Sequence, residues 1–132
     1  MVENDVASGR VRIGYWYILD FPPSLTAAQA AECAGAQDPQ AFWRMHRLLY
    51  ERQSQLWSAD ADTYQGFAQE IGLEGETFRR CMADPAVAAR IQELDRQRRD
   101  ADIRVRPSFD INGRIYRGAL PYNTLRQIFA QP

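Results

Sequence analysis

The segment at residues 104–118 constrains the fold more than any other part of the sequence. Its Asn112-Gly113 dipeptide is the one that best tolerates the positive φ angles of a two-residue hairpin turn. Short, apolar-leaning runs lie on either side, at residues 108–111 and 115–116. Pro107 stands at the entrance of the first run, where its missing N–H breaks no ladder hydrogen bond. The sequence therefore predicts a β-hairpin in this segment.

Upstream of the hairpin the sequence predicts one strand and a series of helices. In residues 11–19, apolar residues first occupy every second position and then follow one another almost without interruption. This pattern is typical of a strand covered on both faces. Asp38-Pro39 and Asp84-Pro85 each provide an N-cap followed by proline at the first helical position. The predicted helices cover residues 24–37, 38–50, 58–72, 74–82, 84–102 and 121–129, and the third of them starts at either Ser58 or Asp60.

Length and composition are those of one globular domain. The chain has 132 residues, of which 45% are hydrophobic and 25% charged, so we expect one sizeable core. We predict a single domain over residues 1–132, with a flexible lead at 1–10, a helical region at 24–102, and a hairpin plus helix at 104–130. No apolar run reaches the roughly 18 residues of a membrane span, and the polar first ten residues lack a secretory signal pattern. These features predict a cytoplasmic location without membrane association.

Charge is distributed unevenly along the chain. Residues 1–78 hold 5 Arg and 11 acidic residues, whereas residues 79–132 hold 11 Arg and 6 acidic residues. One interpretation is a basic face for an acidic partner. The other is an ordinary solvated helix, and it is favoured because the arginines are interspersed with acidic residues. No nucleic-acid partner is predicted from this pattern.

The order of these segments resembles the C-terminal part of the DsbA-like proteins, which have the thioredoxin fold. The shared segments are the strand ending in Asp20-Phe21-Pro22, Ala-Ala-Glu-Cys-Ala-Gly at 30–35, Phe-Trp-x-x-His at 42–46, Phe78-x-x-Cys81, Pro107-Ser-Phe and Ile111-Asn-Gly. The resemblance spans about residues 11–130. It implies an α/β, thioredoxin-like fold with a helical insertion, truncated at the N-terminus, and a cis peptide bond between Arg106 and Pro107.

The chain lacks the Cys-x-x-Cys motif that carries the chemistry of DsbA-like enzymes. The resemblance places that motif on an extra strand and helix before residue 11, with the strand between those at 11–19 and 108–112. Without that extra strand, the edges of the two neighbouring strands have no partner, which invites pairing with another chain. We therefore predict a homodimer and a redox-inactive binding or assembly module, without catalytic residues or a cofactor.

Two other functions remain open at this point. One is a thiol-disulfide oxidoreductase that uses Cys33 or Cys81, or that is completed by another chain supplying the Cys-x-x-Cys. The other is a small-molecule-binding domain that uses the cleft left by the missing element.

Cys33 and Cys81 are the two cysteines of the sequence, and each lies on an apolar helix face. They are interpreted as a structural disulfide, which the resemblance implies, as two buried free thiols, or as a redox pair. The single histidine, His46, is expected to pack on its helix rather than to serve a cysteine nucleophile. No metal site is predicted, because these residues do not readily supply enough ligands.

The surface around Arg106 and Pro107 is the remaining candidate site. In the relatives, the residue before the cis proline contacts the substrate backbone. Tyr15, Tyr17 and Arg106 are therefore predicted to hold a peptide or protein partner, with an extended chain added to a strand. The aromatic residues at 15–17, 43, 50 and 57 are otherwise expected in the core, with Trp16 or Tyr17 as alternatives lining a cleft or dimer interface.

Overall fold

The computed structural model describes residues 5–131, which form a mostly helical fold with a small sheet. The helices are α1 (Ser24–Gln37), α2 (Pro39–Glu51), α3 (Ala61–Glu70), α4 (Gly75–Met82), α5 (Pro85–Asp100) and α6 (Tyr122–Phe129). The strands are β1 (Ser108–Ile111) and β2 (Arg114–Arg117), and a 3-10 turn occupies Gln53–Gln55. Within these described residues, no helix is long and apolar enough to cross a membrane.

Helices α2 and α3 begin where the sequence supplies a side-chain cap. Asp38 accepts a hydrogen bond from the Gln40 backbone N–H at 3.0 Å, and Asp60 accepts one from the Thr63 backbone N–H at 2.9 Å. Such side-chain oxygens satisfy N–H groups that have no partner inside the helix. The predicted helices are confirmed, with differences of a few residues at their ends.

The predicted hairpin is also confirmed. β1 and β2 are antiparallel, and their register pairs Phe109 with Tyr116 and Ile111 with Arg114. Asn112 and Gly113 form the two-residue turn with φ angles of 52° and 83°. Positive φ at both positions is what the right-handed twist of a hairpin requires of a two-residue turn.

The predicted strand at residues 11–19 is wrong. The segment has no regular secondary structure, and the sheet of the described chain contains β1 and β2 alone. A strand forms only where its N–H and C=O groups find a ladder partner, and an apolar pattern does not supply one. Tyr15 and Trp16 are 39% and 56% exposed, so this segment is not covered on both faces. The expected α/β sheet is thus reduced to one hairpin.

The expectation that the aromatic residues lie in the core holds for only part of the set. Tyr17 is buried and Trp43 is half-buried. Tyr50 and Trp57 are both 64% exposed. Aromatic side chains near a helix end or in a loop satisfy the same sequence pattern as core residues, but their position leaves them at the surface.

The chain divides into two compact units. The helical unit is Tyr17–Arg96, and the terminal unit combines Met1–Trp16 with Gln97–Pro132. The helical unit contains the hydrophobic core, in which α1 packs against α2 and α4. Its largest fully buried side chains are Tyr64, Phe78, Met45, Ile91 and Cys33. The predicted organisation as a single domain stays a prediction.

Small residues allow the close packing of α1. Ala30, Ala31 and Ala34 are buried on its inner face. A Cβ atom built at Gly35 would lie 3.1 Å from the Cβ of Phe42. Because that separation is tighter than ordinary van der Waals contact, the glycine lets α1 and α2 approach each other.

The terminal unit contains the hairpin, α6 and the start of the described chain. Residues 1–4 of the predicted flexible lead lie outside the described residues. The rest of the lead includes Asp5, which is buried and accepts hydrogen bonds from the Tyr122 hydroxyl at 2.8 Å and from Arg10 at 3.1 Å. The sequence offered no local signal for this contact, because Asp5 and Tyr122 are 117 residues apart.

Candidate functional site

Cys33 of α1 and Cys81 of α4 form a disulfide. Their Cα atoms are 5.7 Å apart, a separation that a disulfide spans without moving the backbone. Cys33 is fully buried and Cys81 is half-buried. The structure thus favours a paired state over two free thiols, and the bond joins two helices of the helical unit.

The two arginines beside Cys81 interact with oxygen atoms of neighbouring side chains. Arg79 forms an ion pair with Asp62, and its Nε donates to Gln65 Oε1 at 2.9 Å. Arg80 donates to the Thr77 hydroxyl at 3.2 Å. A reactive cysteine usually lies in an electropositive and accessible environment that stabilises its thiolate. These contacts direct both guanidinium groups toward oxygen partners.

Glu74 caps the N-terminus of the helix that carries Cys81. Its carboxylate accepts hydrogen bonds from the backbone N–H groups of Glu76 at 2.9 Å and Thr77 at 2.6 Å. A hydrogen bond to the Thr77 side chain, followed by these backbone bonds, lowers the pKa of Glu74 from 4.5 to about 2. The Glu74 carboxylate is therefore charged at neutral and at mildly acidic pH.

Replacement of Glu74 by Gln is expected to weaken the cap in a pH-dependent way. Because the folded-state pKa is lowered, the stabilisation by Glu74 is complete above pH 4.5 and is lost as pH falls toward 2. The difference in urea midpoint between wild type and Glu74→Gln should therefore be largest at neutral pH and shrink across this window. Glu51→Gln, an exposed glutamate at the end of α2, is the matched control. An equal difference at pH 7 and at pH 2.5 would contradict the assignment.

The peptide bond between Arg106 and Pro107 is cis, as the resemblance implied. Both residues are exposed and lie directly before β1. The backbone carbonyl of Pro107 accepts a hydrogen bond from the N–H of Gly118 at 2.9 Å, which continues the pairing of the hairpin by one step. Pro107 therefore lies at the end of the ladder, as expected of a residue that has no backbone N–H to donate.

The residues of the predicted partner surface differ in exposure. Tyr15 and Arg106 are exposed and belong to the terminal unit. Tyr17 is 6% exposed in the helical unit, and its hydroxyl donates to Glu32 Oε1. Glu32 also accepts a hydrogen bond from Arg90 at 2.8 Å. Tyr17 thus contributes to the core, which leaves Tyr15 and Arg106 as exposed members of the predicted surface.

His46 packs among aromatic rings of its own helix. It stacks on Phe42 with ring centroids 6.0 Å apart and meets Tyr50 edge-on at 5.1 Å. Burial lowers the pKa of His46 below its ordinary 6.5, so the imidazole is mostly neutral at pH 7. Among residues 5–131, no three His, Cys, Asp or Glu side chains are grouped so that they could hold a metal ion.

A pocket in the helical unit was not anticipated from the sequence. It opens between the start of α1 and the loop from α2 to α3, and its volume is about 190 Å³. We call it the Pro–Trp pocket; it is lined by Pro22, Pro23, Thr26, Leu56, Trp57, Ala59 and Tyr64. The Pro22-Pro23 pair was a visible signal of an irregular backbone, but the lining residues come from three separate segments.

Comparison with known proteins identifies the family. A family model described as Thioredoxin (Thioredoxin_4) matches residues 1–130. The chain therefore belongs to this DsbA-like thioredoxin family, as its sequence motifs had indicated. No solved structure matches the chain.

Two curated relatives are much longer than this chain. The Na(+)/H(+) antiporter NhaA 1 of Salinispora arenicola is 39% identical over 98 residues, which are 74% of this chain and 14% of the relative. The Na(+)/H(+) antiporter NhaA 3 of Salinispora tropica is 39% identical over 103 residues, 77% of this chain and 15% of the relative. The chain thus spans about one-seventh of the curated relatives that it matches.

Proposed function

We propose that this chain is a redox-inactive binding or assembly module of the thioredoxin family. The observation that supports the proposal is the state of the two cysteines. They are bonded to each other, Cys33 is fully buried, and the sequence has no Cys-x-x-Cys. A chain that attacks disulfides needs a thiolate of its own that can reach the target sulfur, and the described residues hold no free cysteine to supply one.

The relatives suggest a setting for such a module. They are named as Na(+)/H(+) antiporters, and the matched region is 14–15% of their length. We propose that the present domain likewise works as part of, or beside, a larger polypeptide, where it recognises a protein segment. More specifically, we propose that the domain associates with a Na(+)/H(+) antiporter.

The surface proposed for recognition is the exposed region of Tyr15, Arg106 and Pro107. All three residues belong to the terminal unit, which also contains the two-stranded sheet. A two-stranded hairpin alone is marginally stable and presents unpaired backbone groups at its edges. An extended peptide added to such an edge would gain main-chain hydrogen bonds.

The same edges support the proposal of a homodimer. A second copy of the chain would form hydrogen bonds with the unpaired backbone groups at the edges of the short hairpin. Light scattering across a hundredfold range of concentration tests this directly. A molar mass of twice the monomer's 15.2 kDa is expected at the upper end, and a monomer throughout would contradict it.

The disulfide bears on the compartment in which the domain works. Disulfides persist in oxidising environments and are rare in the reducing cytosol. The Cys33–Cys81 bond therefore supports an oxidising compartment, and we propose that setting in place of the predicted cytoplasmic one.

The function itself is tested by insulin reduction with dithiothreitol. The purified chain is expected to match the uncatalysed background, as are its Cys33→Ala and Cys81→Ala variants. Turnover by the wild type that one of these variants abolishes would identify a nucleophile and overturn the proposal.

The second candidate is a thiol-disulfide oxidoreductase. Membership of the thioredoxin family over residues 1–130 is the feature that favours it, because the DsbA-like enzymes of this family exchange disulfides. The chain would then need a Cys-x-x-Cys supplied by another polypeptide, or would use Cys33 and Cys81 themselves. Insulin turnover that appears only when a polypeptide carrying Cys-x-x-Cys is added would support completion by another chain.

A further inference from the structure

β2 is an edge strand with an arginine at each end. Its sequence is Arg114-Ile115-Tyr116-Arg117, and within the described part of the chain its one partner strand is β1. Both arginines are exposed, whereas Ile115 and Tyr116 are half-buried. The strand therefore has a free edge whose two ends are positively charged.

The hydrogen bond at the open end of the hairpin determines which backbone groups of β2 face outward. The Gly118 N–H donates to the Pro107 carbonyl at 2.9 Å, and hydrogen-bonded and non-hydrogen-bonded pairs alternate along an antiparallel ladder. Arg117, which is paired with Ser108, and Ile115, two positions earlier, thus occupy non-hydrogen-bonded positions. Their N–H and C=O groups point away from β1, so an added strand would bond to the backbone of Ile115 and Arg117.

The side chains of the two arginines keep their positive charge available. Arg114 lies over the Tyr116 ring, 5.2 Å from its centroid. Arg117 donates to the Asp102 backbone carbonyl at 3.5 Å, which is a long and weak hydrogen bond. Neither the ring nor the carbonyl neutralises a guanidinium group, so both arginines attract an anionic partner.

The charges select among the strands that this edge could accept. The terminal unit, Met1–Trp16 with Gln97–Pro132, contains nine arginines and five acidic residues. Opposite charges on directly paired residues stabilise neighbouring strands, and like charges destabilise them. A second β2 strand, antiparallel and fully overlapping, would place Arg114 opposite Arg117 at both ends. The charges thus favour an acidic strand here, which leaves the edge of β1 for the proposed homodimer.

We propose that the free edge of β2 binds an extended segment of a partner protein in which two acidic residues are separated by two apolar residues. The acidic residues lie opposite Arg114 and Arg117, and the apolar residues lie opposite Ile115 and Tyr116. Successive side chains of a strand point to opposite faces, so the two ion pairs form on opposite faces and require this spacing. The inference rests on the proposed function as a binding module and defines the chemistry of its partner.

Three fluorescent hexapeptides test the proposal on the full chain. The Glu peptide, Thr-Glu-Val-Val-Glu-Thr, has the proposed spacing. The Gln peptide, Thr-Gln-Val-Val-Gln-Thr, lacks the charges, and the shuffled peptide, Thr-Val-Glu-Glu-Val-Thr, has adjacent acidic residues. Fluorescence anisotropy at low ionic strength should show saturable binding of the Glu peptide. Binding should be about fivefold weaker for the Gln peptide, which loses two cross-strand ion pairs, and about twofold weaker for the shuffled peptide, which keeps one.

Amide hydrogen exchange locates the added strand. The bound Glu peptide should slow exchange of the N–H groups of Ile115 and Arg117, because they become donors to its backbone. Exchange at Ser108 and Asp110, which occupy the corresponding positions of β1, should stay unchanged. Protection of the β1 positions instead would place the peptide on the other edge and overturn the assignment to β2.

Charge reversal assigns the preference to the two arginines of β2. The double variant Arg114→Glu/Arg117→Glu should bind the Glu peptide at least fivefold more weakly than the wild type does. It should instead bind Thr-Lys-Val-Val-Lys-Thr, and this gain would also show that the variant is folded. The matched control is Arg12→Glu/Arg126→Glu, which reverses two other exposed arginines of the terminal unit. It changes the net charge equally and should keep the preference of the wild type.

Three results would overturn the proposal. They are the absence of saturable binding of the Glu peptide, equal binding of the Glu and Gln peptides by the wild type, and a preference that Arg114→Glu/Arg117→Glu leaves unchanged. The comparison of peptides on the wild type stands by itself if the variant fails to fold. Insulin turnover would overturn the redox-inactive function whatever the peptides do, whereas failed peptide binding without turnover would overturn this inference alone.

Discussion

Loss of the Cys33–Cys81 bond is expected to lower the free energy of unfolding by about 4 kcal/mol. The bond closes a loop across 48 residues, and the chain-entropy model assigns this cost to the freedom that the unfolded chain regains. The bond also lies between α1 and α4, two packed helices of the core. A structural role therefore predicts a large effect on stability.

Urea unfolding of three samples measures the effect. They are the oxidised wild type, the wild type reduced with dithiothreitol, and the double variant Cys33→Ala/Cys81→Ala. The reduced wild type and the variant should unfold at similar, lower urea concentrations. Dithiothreitol should leave the variant unchanged, which controls for effects of the reagent. A change below about 1 kcal/mol would contradict a stabilising role.

Replacement of Phe78 by Ala is expected to lower the free energy of unfolding by about 3–5 kcal/mol. Phe78 lies on α4 and is completely buried in the core of the helical unit. The variant loses the transfer free energy of the ring and leaves a cavity that its neighbours fill only in part. Its neighbour in sequence, Arg79, is exposed and does not compensate.

The matched control is Phe21→Ala, the same substitution at a residue that is 53% exposed. Its effect should stay within about 1 kcal/mol, because a mostly solvated ring buries little area. Phe78→Leu should fall between the two. If Phe78→Ala were no more destabilising than Phe21→Ala, the assignment of Phe78 to the core would be wrong.

The elements that the sequence predicted well are those with local signals. Asp38-Pro39 begins α2, Asp60 caps α3, and Asn112-Gly113 forms the hairpin turn. In each case a few neighbouring residues fix the backbone by hydrogen bonding or by their allowed φ angles. The cis bond before Pro107 came from the family resemblance and not from any local rule.

The elements that were missed depend on distant partners. Residues 11–19 have the pattern of a strand, but a ladder requires another strand, and none pairs with them in the described part of the chain. The spacing of Cys33 and Cys81 does not reveal their distance in space, so their bonding state stayed open until the helices were placed. The Pro–Trp pocket likewise arises only where three segments meet.

The measurement that tests the central claim most directly is thiol labelling of the folded chain in a glutathione redox buffer. A stable structural disulfide resists the glutathione pool, whereas a catalytic one exchanges with it while the protein stays folded. The chain should take up no maleimide when folded and two maleimides after reduction in guanidinium chloride. Labelling of Cys81, or of both cysteines, in the folded state would show an exchanging pair and contradict a redox-inactive module.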